Sequence, residues 1–259
     1  MSSSTITGEA PLLACELTKH YGDLIAVDRL SFHVQAGEIV GLLGPNGAGK
    51  TTALRMLAAI LPPTSGTARI MSHDVTTQPL QVKQSLGFLS GGTALYKRLS
   101  PRELLRCFGR FYELPPEIIE ARIGELSREL QMQEFLDQPC GTLSSGQQQK
   151  ANIARTLIHD PPVLILDEPT TALDIITGRF LQETLRAARD RGKAILFSTH
   201  HMDTAEYLCN RIVLIYKGKT LASGTVEELL GCAEAENLTD AFLNLIERYG
   251  KNTGVTHEV

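Results

Sequence analysis

The sequence lacks the cysteine pattern of a disulfide-linked or zinc-binding protein. Its 259 residues include five cysteines, an odd number, and no two of them form a C-x-x-C pair. Disulfide frameworks use even numbers of cysteines, and structural zinc sites use closely spaced pairs. We therefore expect free thiols in a protein that works in a reducing compartment.

Long apolar runs and an excess of basic residues are also missing. No segment approaches the roughly 18 apolar residues of a membrane-spanning helix, and the first residues, MSSSTITGEAP, lack the features of a signal peptide. The formal net charge of −4 argues against nucleic acid as a partner, because proteins that bind it normally carry a basic patch. We expect a cytoplasmic protein, peripheral on the cytoplasmic face of the cell membrane if a partner holds it there.

Segments typical of strands alternate with segments typical of helices, which predicts an α/β protein with a parallel sheet. Short strands are predicted at Leu12–Leu17 and Ser31–Val34, and the apolar run in EIVGLLG predicts a strand buried on both faces. A helix is expected from Lys50 to about Ile60. Farther along, the alternation resumes with the strand VLILDE, a helix at about 174–189 and the strand AILFST.

Residues from about 90 to 160 interrupt this alternation with helical segments. The first helix is expected to begin at Ser100, where Pro101 suits the first turn and Glu103 can complete a capping box. The segment PPEIIEARIGELSREL predicts a second helix. A helical insertion in an α/β core is therefore predicted, and one more helix, LTDAFLNLIERY, is expected near the C-terminus.

The segment GPNGAGKT matches the phosphate-binding pattern G-x-x-x-x-G-K-[ST], and it stands between a buried strand and a helix, as that pattern requires. Its backbone N–H groups can point at phosphate oxygens, and the helix N-terminus adds partial positive charge. Lys50 is expected to reach the β- and γ-phosphates of ATP, and the Thr51 hydroxyl to bind Mg²⁺. The predicted nucleotide-binding residues here are Gly44, Pro45, Asn46, Gly47, Ala48, Gly49, Lys50, Thr51 and Thr52.

A second motif, VLILDEP at 163–169, places two carboxylates at the end of a buried strand, where ligands bind in open α/β sheets. Asp167 is predicted to hold Mg²⁺, and Glu168 to polarise the attacking water as a general base. These two motifs still leave many families open, including small-molecule kinases and motor ATPases.

Two similar Ser-Gly strings, GFLSGG at 87–92 and LSSGQQQK at 143–150, compete for the role of a second phosphate-binding element. The second string runs directly into a predicted helix, so Ser144 and Gly146 lie at a helix N-terminus that attracts anions. The first string is followed by a helix only at Ser100, so Ser90 to Gly92 are predicted to form a loop. We therefore assign the phosphate-binding element to 143–147.

With these motifs the chain resembles the ATP-binding subunits of ABC transporters. The matching segments are the P-loop 44–51, LSSGQ 143–147, LILDEP 164–169, TALD 171–174 and STHH 198–201, and they occur in the family's order. GTALYKRLSPRE and LIHDPPVLILDEPTTALD are more closely similar to bacterial exporter subunits of the sodium-efflux type. The resemblance implies a P-loop NTPase (RecA-like) parallel sheet with a small N-terminal antiparallel β portion and an inserted helical subdomain. It implies an ABC-type domain at 11–232, and a C-terminal helix and flexible tail at 233–259.

The resemblance also implies roles for individual residues. His200 is expected to contact the γ-phosphate and assist catalysis together with Lys50 and Glu168, while Tyr21 is expected to stack on the adenine. Each chain has one P-loop and one further phosphate-binding element. This combination favours a two-fold homodimer, or a pair with another ABC subunit, that encloses ATP and Mg²⁺. The residues implied at this interface are Ser144, Gly146, Gln147 and Asp174.

Two positions depart from the family's pattern. Ser90 stands where the family normally has a glutamine that contacts Mg²⁺ and senses the transmembrane partner, and a hydroxyl is shorter than that amide. Ser145 replaces the commoner glycine of the signature, which restricts the backbone there. The departure at Ser90 therefore concerns the position that couples the metal site to the transmembrane partner in the family.

The function predicted is that of an ATP hydrolase that drives a separate integral membrane permease, as the engine of an ABC exporter. One alternative is a soluble ABC ATPase that works on nucleic acid or ribosomes, although paired nucleotide domains, long coiled coils and basic insertions are not visible in the sequence. Another is an ATP switch with little turnover, against which Glu168 argues. The transported substrate cannot be predicted, because its path would lie in the permease.

Overall fold

The computed structural model describes residues 10–170 and 173–253, which form two β-sheets with helices packed against them. The strands are β1 (Leu12–Tyr21), β2 (Leu24–Val34), β3 (Ile39–Leu43), β4 (Ser65–Ile70), β5 (His73–Asp74), β6 (Leu86–Leu89), β7 (Val163–Asp167), β8 (Ala194–Thr199), β9 (Arg211–Tyr216) and β10 (Lys219–Gly224). The helices are α1 (Lys50–Leu57), α2 (Pro79–Gln84), α3 (Pro101–Phe111), α4 (Pro116–Glu129), α5 (Ser145–Leu157), α6 (Ile175–Asp190), α7 (Met202–Leu208), α8 (Val226–Ala233) and α9 (Leu238–Thr253).

The larger sheet has the strand order β10-β9-β3-β8-β7-β6. Adjacent strands of this sheet pair in parallel from β9 to β6, and only β10, at the edge, is antiparallel to its neighbour. All five residues of β3 and all five of β7 are buried, as expected for apolar strands covered by helices on both faces. The predicted α/β core with a parallel sheet is therefore confirmed.

The smaller sheet, with order β2-β1-β4-β5, is antiparallel and corresponds to the small N-terminal β portion that the resemblance implied. The predicted strands Leu12–Leu17 and Ser31–Val34 are too short. Strand β1 continues to Tyr21 and β2 begins at Leu24, because the backbone ladder between the two strands extends as far as the pair Tyr21 and Leu24. Lys19, for example, pairs with Val27 across that ladder although its side chain is polar.

Between the parallel strands β6 and β7 the chain forms three helices, α3, α4 and α5. These helices are the predicted helical insertion. Ser100 caps α3: its hydroxyl accepts a hydrogen bond from Glu103 N (3.2 Å), and Ser100 N donates to the Glu103 carboxylate (2.9 Å). The predicted capping box is confirmed. Helix α1 ends at Leu57, earlier than the predicted Ile60, because the N–H groups of Ile60 and Leu61 both turn back to Arg55 O.

The C-terminal part contains elements that the sequence analysis did not predict. The hairpin of β9 and β10 and the helices α7 and α8 precede α9, which begins at Leu238 as predicted. Phe242 and Leu245 of α9 share an apolar cluster with Leu43 of β3 and Leu214 of β9. The predicted flexible tail beyond 253 lies outside the described residues. None of the described helices is long and apolar enough to cross a membrane.

Ser100→Ala is expected to lower the free energy of unfolding by about 1 kcal/mol, because the N–H of Glu103 loses the hydroxyl that it donates to at the start of α3. Ser100→Thr keeps a hydroxyl at this position and should lose less. Urea denaturation followed by circular dichroism measures both variants. Equal stability of Ser100→Ala and the wild type would contradict the importance of this cap.

Candidate active site

The predicted site residues converge because three neighbouring strands end at the same edge of the larger sheet. Strand β8 lies between β3 and β7, and all three are parallel. The P-loop follows β3, Asp167 is the last residue of β7, and His200 follows β8. The carboxyl ends of parallel strands are where α/β sheets bind ligands.

The P-loop turns tightly from β3 into α1. Gly47 and Gly49 have φ values of 79° and 104°, in the left-handed region that other residues rarely adopt. A Cβ atom on Gly49 would lie 2.3 Å from the carbonyl oxygen of Ala26 in β2, which leaves no room for a side chain. These two glycines let the loop fold against the smaller sheet and present its N–H groups to the cleft beside it.

Lys50 is buried at the base of this loop, with 5% of its surface exposed. Its ammonium group donates to Gly44 O (2.7 Å) and Pro45 O (3.2 Å). It also forms an ion pair with Glu168, at 3.3 Å from Oε1. The ammonium group of Lys50 thus contacts the backbone of the P-loop and the predicted general base at the same time.

Glu168 lies at the centre of a chain of contacts. Its carboxylate oxygens lie 3.0 and 2.9 Å from Nδ1 of His200. Its backbone N–H donates to Ser198 Oγ (3.1 Å), and that hydroxyl donates to Asp167 Oδ1 (2.7 Å). Ser198 was not among the predicted site residues, yet from the neighbouring strand β8 it binds the carboxylate of Asp167 and the backbone of Glu168.

A cleft of about 580 Å³ opens beside the P-loop. Its lining includes most of the predicted nucleotide residues: Tyr21, Pro45, Asn46, Gly47, Ala48, Gly49, Lys50, Thr51, Thr52 and Glu168. Tyr21, Leu24 and Ile25 are at least 46% exposed at the cleft's apolar wall, which suits a flat ring system. Gly44, Asp167 and His200 are tied to this lining by the hydrogen bonds described above.

This chain matches known proteins over most of its length. The family model for ABC transporters matches residues 27–171. The chain is 41% identical over 224 residues to the ABC transporter ATP-binding protein NatA of Bacillus subtilis, and the match covers 86% of this chain and 91% of NatA. It is 39% identical over 227 residues to the Nod factor export ATP-binding protein I of Burkholderia pseudomallei, covering 86% of this chain and 75% of that protein.

The chain belongs to the ABC transporter ATP-binding family. Its fold is also that of solved family members. The ATP-binding subunit of an ABC transporter superposes with a TM-score of 0.85 at 28% identity, over 92% of this chain and 100% of the other. A dimeric bacterial ABC transporter cassette superposes with a TM-score of 0.75 at 25% identity, over 83% and 98%. The chain is therefore an ATP-binding P-loop NTPase and an ABC-type ATP hydrolase.

The ABC signature element stands apart from this cleft. Ser144 caps α5, accepting a hydrogen bond from Gln147 N (3.2 Å) while its own N–H donates to Gln147 Oε1 (2.9 Å). Its side chain is exposed, and the helix begins directly behind it, as predicted. Ser144, Gly146 and Gln147 line neither the nucleotide cleft nor the second cleft described below.

Asp174 of the ABC family's TALD segment caps α6. Its carboxylate accepts hydrogen bonds from Thr177 N (2.9 Å) and Thr177 Oγ1 (2.8 Å), and these bonds lower the pKa of Asp174. Gly146 packs beside the same threonine, since a Cβ on Gly146 would lie 2.8 Å from Thr177 Oγ1. The starts of α5 and α6 are therefore neighbours. Thr171 and Ala172 of this segment lie outside the described residues.

The other Ser-Gly string lies in a loop, as predicted. Strand β6 ends at Leu89, and Ser90 O accepts hydrogen bonds from the backbone N–H (3.3 Å) and the hydroxyl (2.8 Å) of Thr93. Ser90 lines a second cleft, of about 610 Å³, together with Asp167, Glu168 and His200. The position where the ABC family has its glutamine thus adjoins the predicted base and metal residue.

Part of the cleft wall consists of residues outside the predicted site. Lys217 and Gly218, the turn between β9 and β10, line the nucleotide cleft, and Gly218 O accepts a hydrogen bond from Asp28 N of β2 (2.8 Å). The three residues KGK, which contain a glycine, separate the runs RIVLIY and TLAS, and such a short glycine-containing connection is a hairpin signal. The pattern therefore predicts the turn, but only the tertiary structure shows that the turn faces the P-loop.

Proposed function

We propose that this chain is the ATP-hydrolysing engine of an ABC exporter, which closes as a dimer around ATP and drives a separate membrane permease. The observation that carries the proposal is the contact chain from Lys50 through Glu168 to His200 at the edge of the P-loop cleft. A cation that binds the phosphates and a residue that orients or deprotonates the attacking water are groups that phosphoryl transfer uses. His200 adds an imidazole beside that base.

The contacts support a sequence of events at Glu168. Bound ATP would lay its phosphates against the P-loop, where Lys50 exchanges its contact with Glu168 for phosphate oxygens. Glu168 can then accept a proton from the attacking water. His200 contacts Glu168 through Nδ1, and a ring protonated on both nitrogens would also donate from Nε2 to the γ-phosphate. The adenine would stack on Tyr21 at the other end of the cleft.

The residues present fit a magnesium ion. Thr51 and Asp167 offer a hydroxyl and a carboxylate oxygen, the hard ligands that Mg²⁺ prefers. Among the described residues, no group of three or more His, Cys, Asp or Glu side chains is arranged to hold a metal ion by itself. Mg²⁺ in ATPases needs no such group, because it takes one or two protein oxygens plus those of the phosphates. Bound there, the ion would neutralise phosphate charge. Ser198 would keep Asp167 turned toward it.

The surface around the signature supports a dimer. Ser144 is exposed at the start of a 13-residue helix, and its hydroxyl, which accepts from Gln147, still has its proton to donate to a phosphate. Ile175 and Ile176 lie nearby at the start of α6, with 92% and 83% of their surfaces exposed. Apolar residues this exposed favour a contact with another surface. A second copy would place its own P-loop cleft against Ser144 and Gly146, with Asp174 at the interface.

The exporter assignment comes from the relatives. One of them is named for Nod factor export, and NatA is named as the ATP-binding protein of an ABC transporter. By analogy, this chain would work at the cytoplasmic face of the membrane, bound to a permease whose contact would lie beside Ser90 and the second cleft. The formal net charge of −4 disfavours the alternative role on nucleic acid.

The proposal is tested by isolating the tagged chain from its own host. We expect detergent-solubilised membranes to yield it together with a polytopic membrane protein, and ATP hydrolysis by the reconstituted pair to exceed hydrolysis by the chain alone. A Glu168→Gln chain should bind the same membrane protein without hydrolysis, which controls for contaminating ATPases. Recovery of the chain on ribosomes or nucleic acid instead, with no membrane protein, would favour the alternative.

A further inference from the structure

The nucleotide cleft has a second wall, formed by the turn between β9 and β10. The first wall belongs to the β1–β2 hairpin and presents Tyr21, Leu24 and Ile25, whereas the second presents Lys217 and Gly218. Lys50, Glu168 and Lys217 are the lysine and glutamate side chains among the lining residues. Lys50 and Glu168 have roles in the proposed hydrolysis, so Lys217 is the charged group of the cleft whose role is still to be explained.

The position of this turn is fixed by its backbone. Gly218 N donates to Ala48 O in the P-loop (3.0 Å), and Gly218 O accepts from Asp28 N in β2 (2.8 Å). Lys217 and Gly218 both have positive φ, 47° and 80°, the combination found in the type I′ turns that connect hairpin strands. The turn is therefore held between the P-loop and the smaller sheet, and Lys217 projects from a defined place beside the cleft.

The charge of Lys217 is available to a ligand. Its side chain is exposed, with the ammonium group 5.4 Å from the centre of the Tyr216 ring, and within the described ranges it makes no ion pair. Lys219, two residues farther on the same hairpin, instead pairs with Asp28 at 3.5 Å and does not line the cleft. A flexible, exposed lysine beside a phosphate-binding loop can bind an anion without first breaking an ion pair.

We propose that Lys217 is a nucleotide-binding residue that contacts the α-phosphate of ATP from the β9–β10 turn beside the P-loop. The turn touches Ala48 in the phosphate-binding part of the cleft and Ala26 next to its apolar, base-binding part. The α-phosphate is the anionic group that lies where these two parts of a nucleotide meet. The inference rests on the proposed nucleotide site, and it adds a residue that neither the P-loop nor the signature pattern contains.

The test separates the charge of Lys217 from the geometry of the turn. Lys217→Asn removes the charge but suits a type I′ turn, and Lys217→Arg keeps the charge. We expect Lys217→Asn to weaken binding of ADP and of the non-hydrolysable β,γ-imido analogue of ATP by roughly three- to tenfold. Lys217→Arg should bind both nearly as the wild type does. Isothermal titration calorimetry at low salt measures these affinities, and high salt should shrink the difference.

Lys219→Asn is the matched control, because it removes the same charge from the same hairpin outside the cleft, and it should bind both nucleotides like the wild type. An unchanged affinity in Lys217→Asn, or an equal loss in Lys219→Asn, would overturn the proposal. A loss confined to the ATP analogue would overturn the placement at the α-phosphate, since ADP shares that group. Failure of the wild type to bind either nucleotide would instead reject the nucleotide site itself.

Discussion

Glu168→Gln is expected to reduce ATP hydrolysis by roughly 10²-fold or more while ATP binding is retained. The amide keeps the size and hydrogen-bonding oxygen of the carboxylate, so Lys50 can still contact it, but it has no basicity with which to take a proton from water. The backbone of Glu168 would stay anchored to Ser198. The effect should therefore fall on the chemical step and leave the cleft intact.

The same variant is expected to accumulate an ATP-bound dimer, because ATP that is not hydrolysed keeps biasing the equilibrium toward the closed state. Steady-state phosphate release measures the rate, and size-exclusion chromatography with light scattering measures the dimer. Glu183→Gln, on the exposed face of α6 where Glu183 pairs with Arg179 at 3.8 Å, is the control and should behave like the wild type. Hydrolysis near the wild-type rate in Glu168→Gln would exclude Glu168 as the base.

Much of the site could be located from sequence because its motifs are local. The P-loop pattern, the two carboxylates after VLIL and the Ser-Gly turn before α5 each lie at a strand end or a helix start, where their geometry follows from neighbouring residues. His200 is different. A histidine after a strand has no pattern of its own, and the family resemblance alone selected it; its contact with Glu168 depends on β7 and β8 being neighbours.

The residues that were missed act through contacts between distant segments. Ser198 supports Asp167 and Glu168 from 31 and 30 positions away along the chain. Lys217 reaches the cleft because Gly218 bonds to Ala48 in a loop far earlier in the sequence. Local pattern carries no information about such pairs. It also misjudged the ends of β1 and β2, because backbone pairing with a partner strand sets the length of these strands.

Ser144→Arg is expected to abolish ATP-driven dimerisation while the monomer keeps nearly its full affinity for ATP. The side chain of Ser144 is exposed and lines neither cleft, so we expect the substitution to leave nucleotide binding in its own subunit nearly unchanged. In a dimer, however, the arginine side chain would occupy the space of the γ-phosphate of the ATP bound to the other subunit's P-loop. Light scattering in the Glu168→Gln background, with and without ATP, measures the dimer.

Two controls separate this effect from simpler ones. Arginine also removes the cap of α5, which costs about 1 kcal/mol of stability. Ser144→Asp keeps a capping oxygen but repels a phosphate, so it should fold normally and still fail to dimerise. Ser90→Arg places the same bulk in the other Ser-Gly string and should leave the dimer largely formed. If Ser90→Arg abolishes the dimer and Ser144→Arg does not, the two strings have been assigned the wrong way round.

Mixing two inactive chains gives the sharper test of a shared site. In a dimer of a Ser144→Arg chain with a Lys50→Ala chain, one site combines both defects, whereas the other combines an intact P-loop with an intact signature. Each variant alone is expected to hydrolyse little ATP, because both of its sites carry the same defect. The mixture should recover part of the wild-type rate, and adding Glu168→Gln to the Ser144→Arg chain should remove that recovery. No recovery between folded chains that associate would contradict hydrolysis at a site shared by two subunits.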